Sequence, residues 1–373
     1  MVIENQLIGY VVLALLVAMA VSFLMSPLVK SFAYKVGAID VPKDARRMHK
    51  VPVPRLGGLA IFIGFMVSIL LFVNITAEMK SILLGAVIIV VLGVVDDIMA
   101  LPAMLKFVVQ IVAATIPAMG GVRILAFSNP NIFSEELYWV LGNLSIPLTV
   151  LWIVAITNAV NLIDGLDGLA NGVSAISATT VLLIALMGNQ VQVAMVMAAL
   201  VGACVGFMPY NLNPAKMFMG DTGATFLGYI LATMSIQGLF KFYAVISFAV
   251  PFLILGLPIF DTAFAFIRRI AHGQNPMHAD RSHIHHRLID MGLNQKQAVA
   301  CLYVISAILG LSAVVLTTGG EQRAMLFFGA MCVVAVVAAR VVFPKEVKEE
   351  LLEELHEITE HGHHPEEKKD EES

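Results

Sequence analysis

Two adjacent aspartates, Asp96 and Asp97, end an apolar run that reads GAVIIVVLGVV. Neighbouring carboxylates repel each other and attract a divalent cation. At the edge of an apolar helix they are unfavourable unless they are hydrated, paired or metal-bound. Lys106 begins the next apolar run, where it can hold a phosphate. The alternatives are a hydrated helix end for the aspartates and a simple anchoring role for the lysine.

The segment NAVNLIDGLDGLANG (158–172) carries an amide or carboxylate every three residues, at Asn158, Asn161, Asp164 and Asp167. In one straight α-helix each such step drifts by about 60°, so the first and last of these side chains would face opposite sides. Gly165 and Gly168 allow the helix to end between Asn158 and Asp167. Irregular backbone at membrane depth is tolerated where it lines a cavity. The segment therefore predicts a pocket on a broken helix, with a polar turn as the alternative.

A third aspartate, Asp221, lies between Gly220 and Gly223 in MFMGDTGATFLG, just before another apolar run. Asp221 or Thr222 can cap the helix that follows. The functional alternative is that Asp221 is a metal ligand at a helix N-terminus that also faces phosphates.

A histidine cluster occupies HADRSHIHHRLIDMG (278–292), where His283, His285 and His286 stand with Arg281 and Arg287. Such a cluster suits phosphate oxygens or a divalent metal. Its spacing does not match structural zinc sites, and a solvated basic loop is the alternative.

Two further features are less specific. The basic loop DVPKDARRMHKVPVPRLGG (40–58) is typical of a segment that attracts anionic lipid headgroups, and Gly57 and Gly58 allow a close backbone approach at the start of a helix. Asp261 lies inside an apolar run. It is either a functional carboxylate or a structural partner of Arg268.

The elements that position these residues must be membrane helices. The chain has 373 residues, of which 59% are hydrophobic and 13% charged, and its mean hydropathy is +0.87. A soluble domain carries about 25% charged residues. The net charge of −4 gives no indication of nucleic-acid binding. The three cysteines lie apart in apolar runs and do not suggest a disulfide framework.

A bilayer-crossing helix needs about 20 apolar residues, and eleven segments approach this length: 6–29, 56–74, 81–98, 103–119, 143–161, 169–187, 191–209, 224–240, 243–267, 297–317 and 322–342. The first is too long for a signal-peptide core of about 7–15 residues. We therefore predict an all-α, polytopic membrane domain over residues 1–343 and a charged cytoplasmic tail over 344–373.

The orientation follows from the basic residues. With the N-terminus outside, the inside segments hold 19 lysines and arginines and the outside segments hold four, as the positive-inside rule requires. The segments richest in polar residues are 30–55, 96–106, 158–168, 211–223 and 268–296. Two spans separate each of these segments from the next, so all five are expected on the cytoplasmic side. The sequence predicts one site assembled there from five loops.

Together, VVDD followed by LP and Lys106, NLIDGLDGLANG, MFMGDTGATFLG and HADRSHIHHRL resemble the motifs of the polyprenyl-phosphate N-acetylhexosamine-1-phosphate transferase family, also called glycosyltransferase family 4. The resemblance extends to about residue 343. The HIHH loop and RRMHKVPVPRLGG are similar to the WecA/TagO branch, which uses UDP-GlcNAc, rather than to the MraY branch, which uses UDP-MurNAc-pentapeptide.

The resemblance implies transfer of GlcNAc-1-phosphate from UDP-GlcNAc to undecaprenyl phosphate with Mg²⁺, for which Mn²⁺ can substitute, and it makes a homodimer an expected state. It implies Asp221 as a metal ligand with Asp164 or Asp167 assisting, and Asp96 or Asp97 as the base or positioning group. It further implies substrate binding by Lys106, Asn158, Asn161, Arg281, His283, His285 and His286.

Three alternatives remain open at this point. The same chemistry could use another UDP-N-acetylhexosamine or UDP-MurNAc-pentapeptide. A transporter would share the helix count but is expected to place its charges near the midplane. A membrane phosphatase acting on lipid diphosphates is the third alternative.

Overall fold

Most apolar runs of the sequence form helices in the computed structural model, which describes residues 2–42, 51–128, 138–240, 249–271, 283–319, 323 and 325–332. In chain order the helices are α1 (Val2–Val36), α2 (Gly57–Phe72), α3 (Ala77–Met99), α4 (Ala103–Met119), α5 (Ser145–Leu162), α6 (Leu169–Met187), α7 (Val191–Asn211), α8 (Gly220–Ser235), α9 (Ala249–Ile254), α10 (Gly256–Ala271), α11 (Ile284–Asp290) and α12 (Gln295–Gly319).

Short elements connect some of these helices. The strands β1 (Ile39–Asp40) and β2 (Val53–Pro54) pair antiparallel, as do β3 (Ala126–Ser128) and β4 (Tyr138–Val140). A 3₁₀ turn over Gly142–Leu144 precedes α5, and a π-helical turn over Ile236–Phe240 follows α8. The described part of the chain is therefore predominantly helical, as predicted.

Six helical segments are long and apolar enough to cross a bilayer: Ile8–Val36, Ala77–Met99, Gly142–Leu162, Leu169–Met187, Val191–Asn211 and Gln295–Thr318. Three shorter apolar helices cover Gly57–Phe72, Ala103–Met119 and Gly256–Ile267. The all-α, multi-pass membrane architecture is confirmed. The count of eleven crossings and the orientation stay predictions, and the predicted tail lies outside the described residues.

Helix α1 packs closely against α7 because α7 has glycines at the contact. A Cβ atom on Gly202 would lie 2.1 Å from the carbonyl oxygen of Leu15 in α1. A Cβ atom on Gly206 would lie 2.2 Å from the carbonyl oxygen of Met19, also in α1. Beside them, the buried Ser22 hydroxyl donates to the carbonyl of Ala203 at 2.8 Å. Small residues and hydroxyl bonds are the usual means of holding helices together in lipid.

The described part of the predicted span 243–267 forms two helices, α9 and α10, on either side of Leu255. Pro258 has no N–H with which to bond the carbonyl of Ile254, so a regular helix loses one bond here. The hydroxyl of Ser177 in α6 donates to that carbonyl at 2.8 Å. A side chain from a neighbouring helix thus supplies the hydrogen bond that the carbonyl of Ile254 lacks within its own helix.

The predicted break in the segment 158–172 is confirmed. Helix α5 ends at Leu162 and α6 begins at Leu169, with Gly168 at φ +79° between them. Tyr303 of α12 donates its hydroxyl to the carbonyl of Gly168 at 2.5 Å. The connecting residues 163–168 are therefore fixed by a helix that is distant in sequence.

We expect Gly202→Ala to destabilise the protein because the new methyl group would collide with the backbone of α1. Overpacking of this kind typically costs about 1–3 kcal/mol. Gly9→Ala is the matched control, because nothing lies within 4 Å of a Cβ at that position and alanine favours a helix. Melting of the detergent-solubilised protein measures the difference, and equal melting temperatures for the two variants would contradict the packing.

Candidate functional site

A cavity of about 510 Å³ lies where several helix ends meet. Its walls come from the β1–β2 pair, the connection between α5 and α6, the connection between α7 and α8, and the starts of α11 and α12. The polar and charged residues that line it are Asp40, Arg55, Asn161, Asp164, Asp167, Asn211, Asn213, Asp221, His286 and Gln295. The structure therefore brings together residues from four of the five predicted segments at this cavity.

Asp164 lies in the irregular connection after α5. Burial raises the pKa of Asp164 to about 8, and the carboxylates of Asp221, Asp97 and Asp167 act in the same direction. No side chain in the described ranges donates a hydrogen bond to this carboxyl group. A group in this position is favoured in its ionised form only when a cation compensates the surrounding negative charge.

Asp97, at the end of α3, is fully engaged in holding α8. Its side chain is completely buried. It accepts from the backbone N–H groups of Asp221 (3.1 Å) and Thr222 (3.0 Å), from the Thr222 hydroxyl (2.7 Å) and from Nε of Arg55 (3.1 Å). The first N–H groups of a helix need such acceptors. Asp97 therefore caps α8 from a neighbouring helix, and Asp221 lies in the first turn rather than at the cap.

Lys106, in the first turn of α4, connects two carboxylates. Its ammonium group donates to Asp96 at 2.9 Å and to Asp221 at 3.1 Å. Asp96 also accepts from the backbone N–H of Leu101 at 2.7 Å. Lys106 thus partly neutralises the negative charge of Asp96 and Asp221. Its third ammonium N–H has no acceptor among the described residues.

Asp167 lines the cavity and also fixes the loop before α8. Its Oδ2 accepts from the amide of Asn213 at 2.9 Å and from the backbone N–H of Ala215 at 3.0 Å. Asn213 in turn bonds Gln295 at 2.7 Å. The carboxylate therefore couples the α5–α6 connection to α12 and to the loop that leads into Asp221.

Of the described histidines, His286 lines the cavity, while His283 and His285 lie behind it and are buried. His283 Nδ1 pairs with Asp261 at 2.9 Å, and the backbone N–H of Ile284 donates to the same carboxylate at 2.8 Å. The described partner of Asp261 is thus the start of α11, whereas the sequence suggested Arg268.

His285 packs directly on the broken helix. A Cβ on Gly165 would lie 2.2 Å from His285 Nε2, so this position needs glycine. Burial, and after it the neighbouring His286, lower the pKa of His285 to about 4. His285 is therefore neutral near pH 7 and contributes contact rather than positive charge.

Six described residues of the predicted site are not part of the cavity lining: Asp96, Asp97, Lys106, Asn158, His283 and His285. Asn158 faces α4, where its amide donates to Gln110 at 2.6 Å and to the carbonyl of Val154 at 2.8 Å. The helix period separates it from Asn161, which does line the cavity. Arg281 lies outside the described residues.

The donors at the cavity fit a magnesium ion. In the described part of the chain, no three His, Cys, Asp or Glu side chains form a ready cluster. Mg²⁺ is commonly held by one or two carboxylates together with waters and substrate phosphates. Asp164 and Asp221 offer such oxygens from two elements, and both line the cavity. The arrangement suits a divalent cation that is shared with a phosphate ligand.

The sequence motifs did not single out five of the polar lining residues: Asp40, Arg55, Asn211, Asn213 and Gln295. Arg55 stands in the segment PVPRLGG, whose glycines did indicate a close approach. Gly57 and Gly58 confirm it, because their N–H groups donate to the carbonyls of Phe218 and Met219 at 2.9 and 2.8 Å. Asn211 and Gln295 lie at helix ends and carry no distinctive spacing.

Comparison with known proteins shows the family of the chain. The sequence model of glycosyl transferase family 4 matches residues 79–239, a range that contains Asp96, Asp164 and Asp221. A probable undecaprenyl-phosphate N-acetylglucosaminyl 1-phosphate transferase of Bacillus subtilis is 44% identical over 82% of this chain and 85% of its own length.

Two other relatives are more distant. A decaprenyl-phosphate N-acetylglucosaminephosphotransferase of Mycolicibacterium smegmatis is 30% identical over 86% of each chain. A phospho-N-acetylmuramoyl-pentapeptide-transferase of Heliobacterium modesticaldum is 36% identical over 60% of this chain and 73% of its own. On the extent of these matches, the chain belongs to glycosyl transferase family 4 and to its WecA/TagO-like members.

Proposed function

We propose that this membrane transferase moves GlcNAc-1-phosphate from UDP-GlcNAc to undecaprenyl phosphate, giving undecaprenyl-diphospho-GlcNAc and UMP, with Mg²⁺ or Mn²⁺ as the metal. The observation that carries the proposal is the gathering of Asp164, Asp167 and Asp221 around one cavity at the ends of apolar helices. The name of the relative that is 44% identical supports the choice of acceptor and transferred group.

In this reaction an oxygen of the lipid phosphate attacks the phosphorus that bears the sugar. A P–O bond forms there, and the bond from that phosphorus to UMP breaks. Several negative charges must meet, so the barrier is chiefly electrostatic. A bound Mg²⁺ supplies positive charge and Lewis acidity at the phosphate oxygens.

The chain's own residues bind the metal, bind the phosphates and orient these groups. Asp164 and Asp221 hold the metal, and Lys106 offers its remaining N–H to a phosphate. Asp96 orients Lys106 through the 2.9 Å contact. Asp96 contributes little as a base, because a phosphate monoester with a second pKa of about 6 is already largely dianionic at pH 7.

Asp97 was also predicted to be catalytic, and that role stays a prediction. Its four accepted hydrogen bonds support a positioning role through α8 and Asp221. Direct attack by the lipid phosphate needs fewer steps than a covalent aspartyl-phosphate route, and the buried, fully bonded Asp97 is poorly placed as a nucleophile.

The cytoplasmic face is proposed for this site. Its support is the excess of lysines and arginines, 19 against four, in the segments that fall on the same side. UDP-sugars are soluble nucleotides, so a site at the helix ends can take its donor from water and its acceptor from the bilayer.

Purified protein with radiolabelled UDP-GlcNAc, undecaprenyl phosphate and Mg²⁺ is expected to form lipid-linked label and release UMP, and EDTA is expected to stop both. UDP-GalNAc and UDP-MurNAc-pentapeptide serve as parallel donors. A clear preference for either would overturn the donor assignment. Label that only crosses a vesicle would indicate a transporter, and release of inorganic phosphate would indicate a phosphatase.

Asp221→Asn and Asp164→Asn are expected to lower kcat at least about 100-fold, because each removes a charged oxygen from the metal, while melting in detergent stays close to wild type. Asp290→Asn is the matched control, since Asp290 is exposed at the end of α11 and is not part of the cavity lining. Turnover near the wild-type rate in Asp221→Asn would remove the metal assignment.

A further inference from the structure

The charge balance of the cavity calls for a cation beside the metal. Four aspartates line it, Asp40, Asp164, Asp167 and Asp221. Under the proposed function, a diphosphate and a lipid phosphate must also enter. Within the described ranges, Arg55 is the one lysine or arginine in the lining. Lys106 reaches Asp221 from outside that lining.

The backbone around Arg55 is clamped on both sides. Its own N–H donates to the carbonyl of Ala38 at 3.1 Å, and the carbonyl of Pro54 accepts from Phe218 at 2.8 Å. Gly220, at φ +72°, leaves no room for a Cβ, which would lie 2.0 Å from the carbonyl oxygen of Arg55. The arginine is therefore fixed directly beside the loop that carries Asp221.

The side chain of Arg55 is hydrogen-bonded through only one of its nitrogens among the described residues. Its Nε donates to Oδ1 of Asp97 at 3.1 Å, and 33% of the side chain is exposed while that of Asp97 is completely buried. The terminal N–H groups of Arg55 have no acceptor among the described residues. Arginine stays charged at any pH of interest, so a fixed, charged donor group is left beside the cavity.

We propose that Arg55 binds a phosphate group of a substrate, with its Nε anchored on Asp97 and its terminal N–H groups directed to the phosphate oxygens. The planar guanidinium fork matches phosphate geometry. This inference rests on the proposed function and names a further binding residue for it. Two substrates carry the required chemistry, the nucleotide diphosphate and the lipid phosphate.

The competing explanation is that Arg55 serves only to pair with Asp97 and hold α8. In that case its loss would act through Asp221 and the metal, so in EDTA, where the uridine and UMP titrations are made, it would disturb every ligand of the site alike, or none. A phosphate contact instead weakens ligands that carry phosphate and leaves a phosphate-free ligand unaffected. A series of uridine, UMP and UDP-GlcNAc separates the two explanations.

Arg55→Gln and Arg55→Lys are to be compared with wild type in the full-length, detergent-solubilised protein. The control is Lys35→Gln, because Lys35 is exposed in the last turn of α1 and does not line the cavity. Dissociation constants are measured by titration calorimetry with each nucleotide, and KM is measured for each substrate while the other is saturating. Calorimetry reports even on variants that turn over too slowly to assay.

A contact with the donor predicts that Arg55→Gln weakens UMP and UDP-GlcNAc binding about 10- to 100-fold and leaves uridine binding within about twofold. A contact with the lipid predicts that only the KM for undecaprenyl phosphate rises by a similar factor. Arg55→Lys is expected to fall between wild type and Arg55→Gln, and it replaces Arg55→Gln if that variant does not fold.

Unchanged affinity for both phosphate substrates, or an equal loss for uridine and UMP, would overturn the inference and leave Arg55 as a partner of Asp97. The proposed function fails separately, if wild-type protein makes no lipid-linked product from UDP-GlcNAc. The uridine and UMP titrations still decide the role of Arg55 toward the donor phosphates in that case.

Discussion

The site depends on the buried carboxylate of Asp97. It accepts four hydrogen bonds, three from the first turn of α8 and one from Arg55. A carboxylate at a helix N-terminus is stabilised by the unpaired N–H groups and by the helix dipole. Because the donors come from α8 and from the residue after β2, this one group fixes three parts of the chain together. Asp221 follows the cap directly, so its position is set by the same contact.

Around that anchor the protein keeps several like charges close together. Asp96 and Asp221 share Lys106, Asp97 has Arg55, and Asp167 has amide donors. Asp164 is the exception, because its carboxyl group has no donor among the described residues and burial raises its pKa to about 8. Without a cation this carboxyl group is therefore largely protonated near pH 7, and a divalent cation bound at the cavity would favour its ionised form.

Much of this arrangement could be predicted from the sequence, since hydropathy gives the helices and span parity places the polar segments on one side. The break at Gly168 followed from the three-residue spacing of polar side chains, which one helix cannot direct into one pocket. Contacts between distant segments could not be predicted. The carbonyl of Ile254 is satisfied by Ser177, and Asp261 pairs with His283. Neither the cap that Asp97 makes on α8 nor the place of Arg55 in the cavity is visible in local spacing, because both depend on the packing of α3 against α8 and of residues 54–58 against 218–220.

In the proposed mechanism Asp164 and Asp221, from separate elements, hold one divalent cation together. Electron paramagnetic resonance of Mn²⁺ in the presence of UDP-GlcNAc tests it most directly. We expect one tightly bound Mn²⁺ in the wild-type protein, its loss in Asp221→Asn and a weakened site in Asp164→Asn. A tight Mn²⁺ signal of the same strength in all three proteins would show that these two carboxylates do not hold the metal.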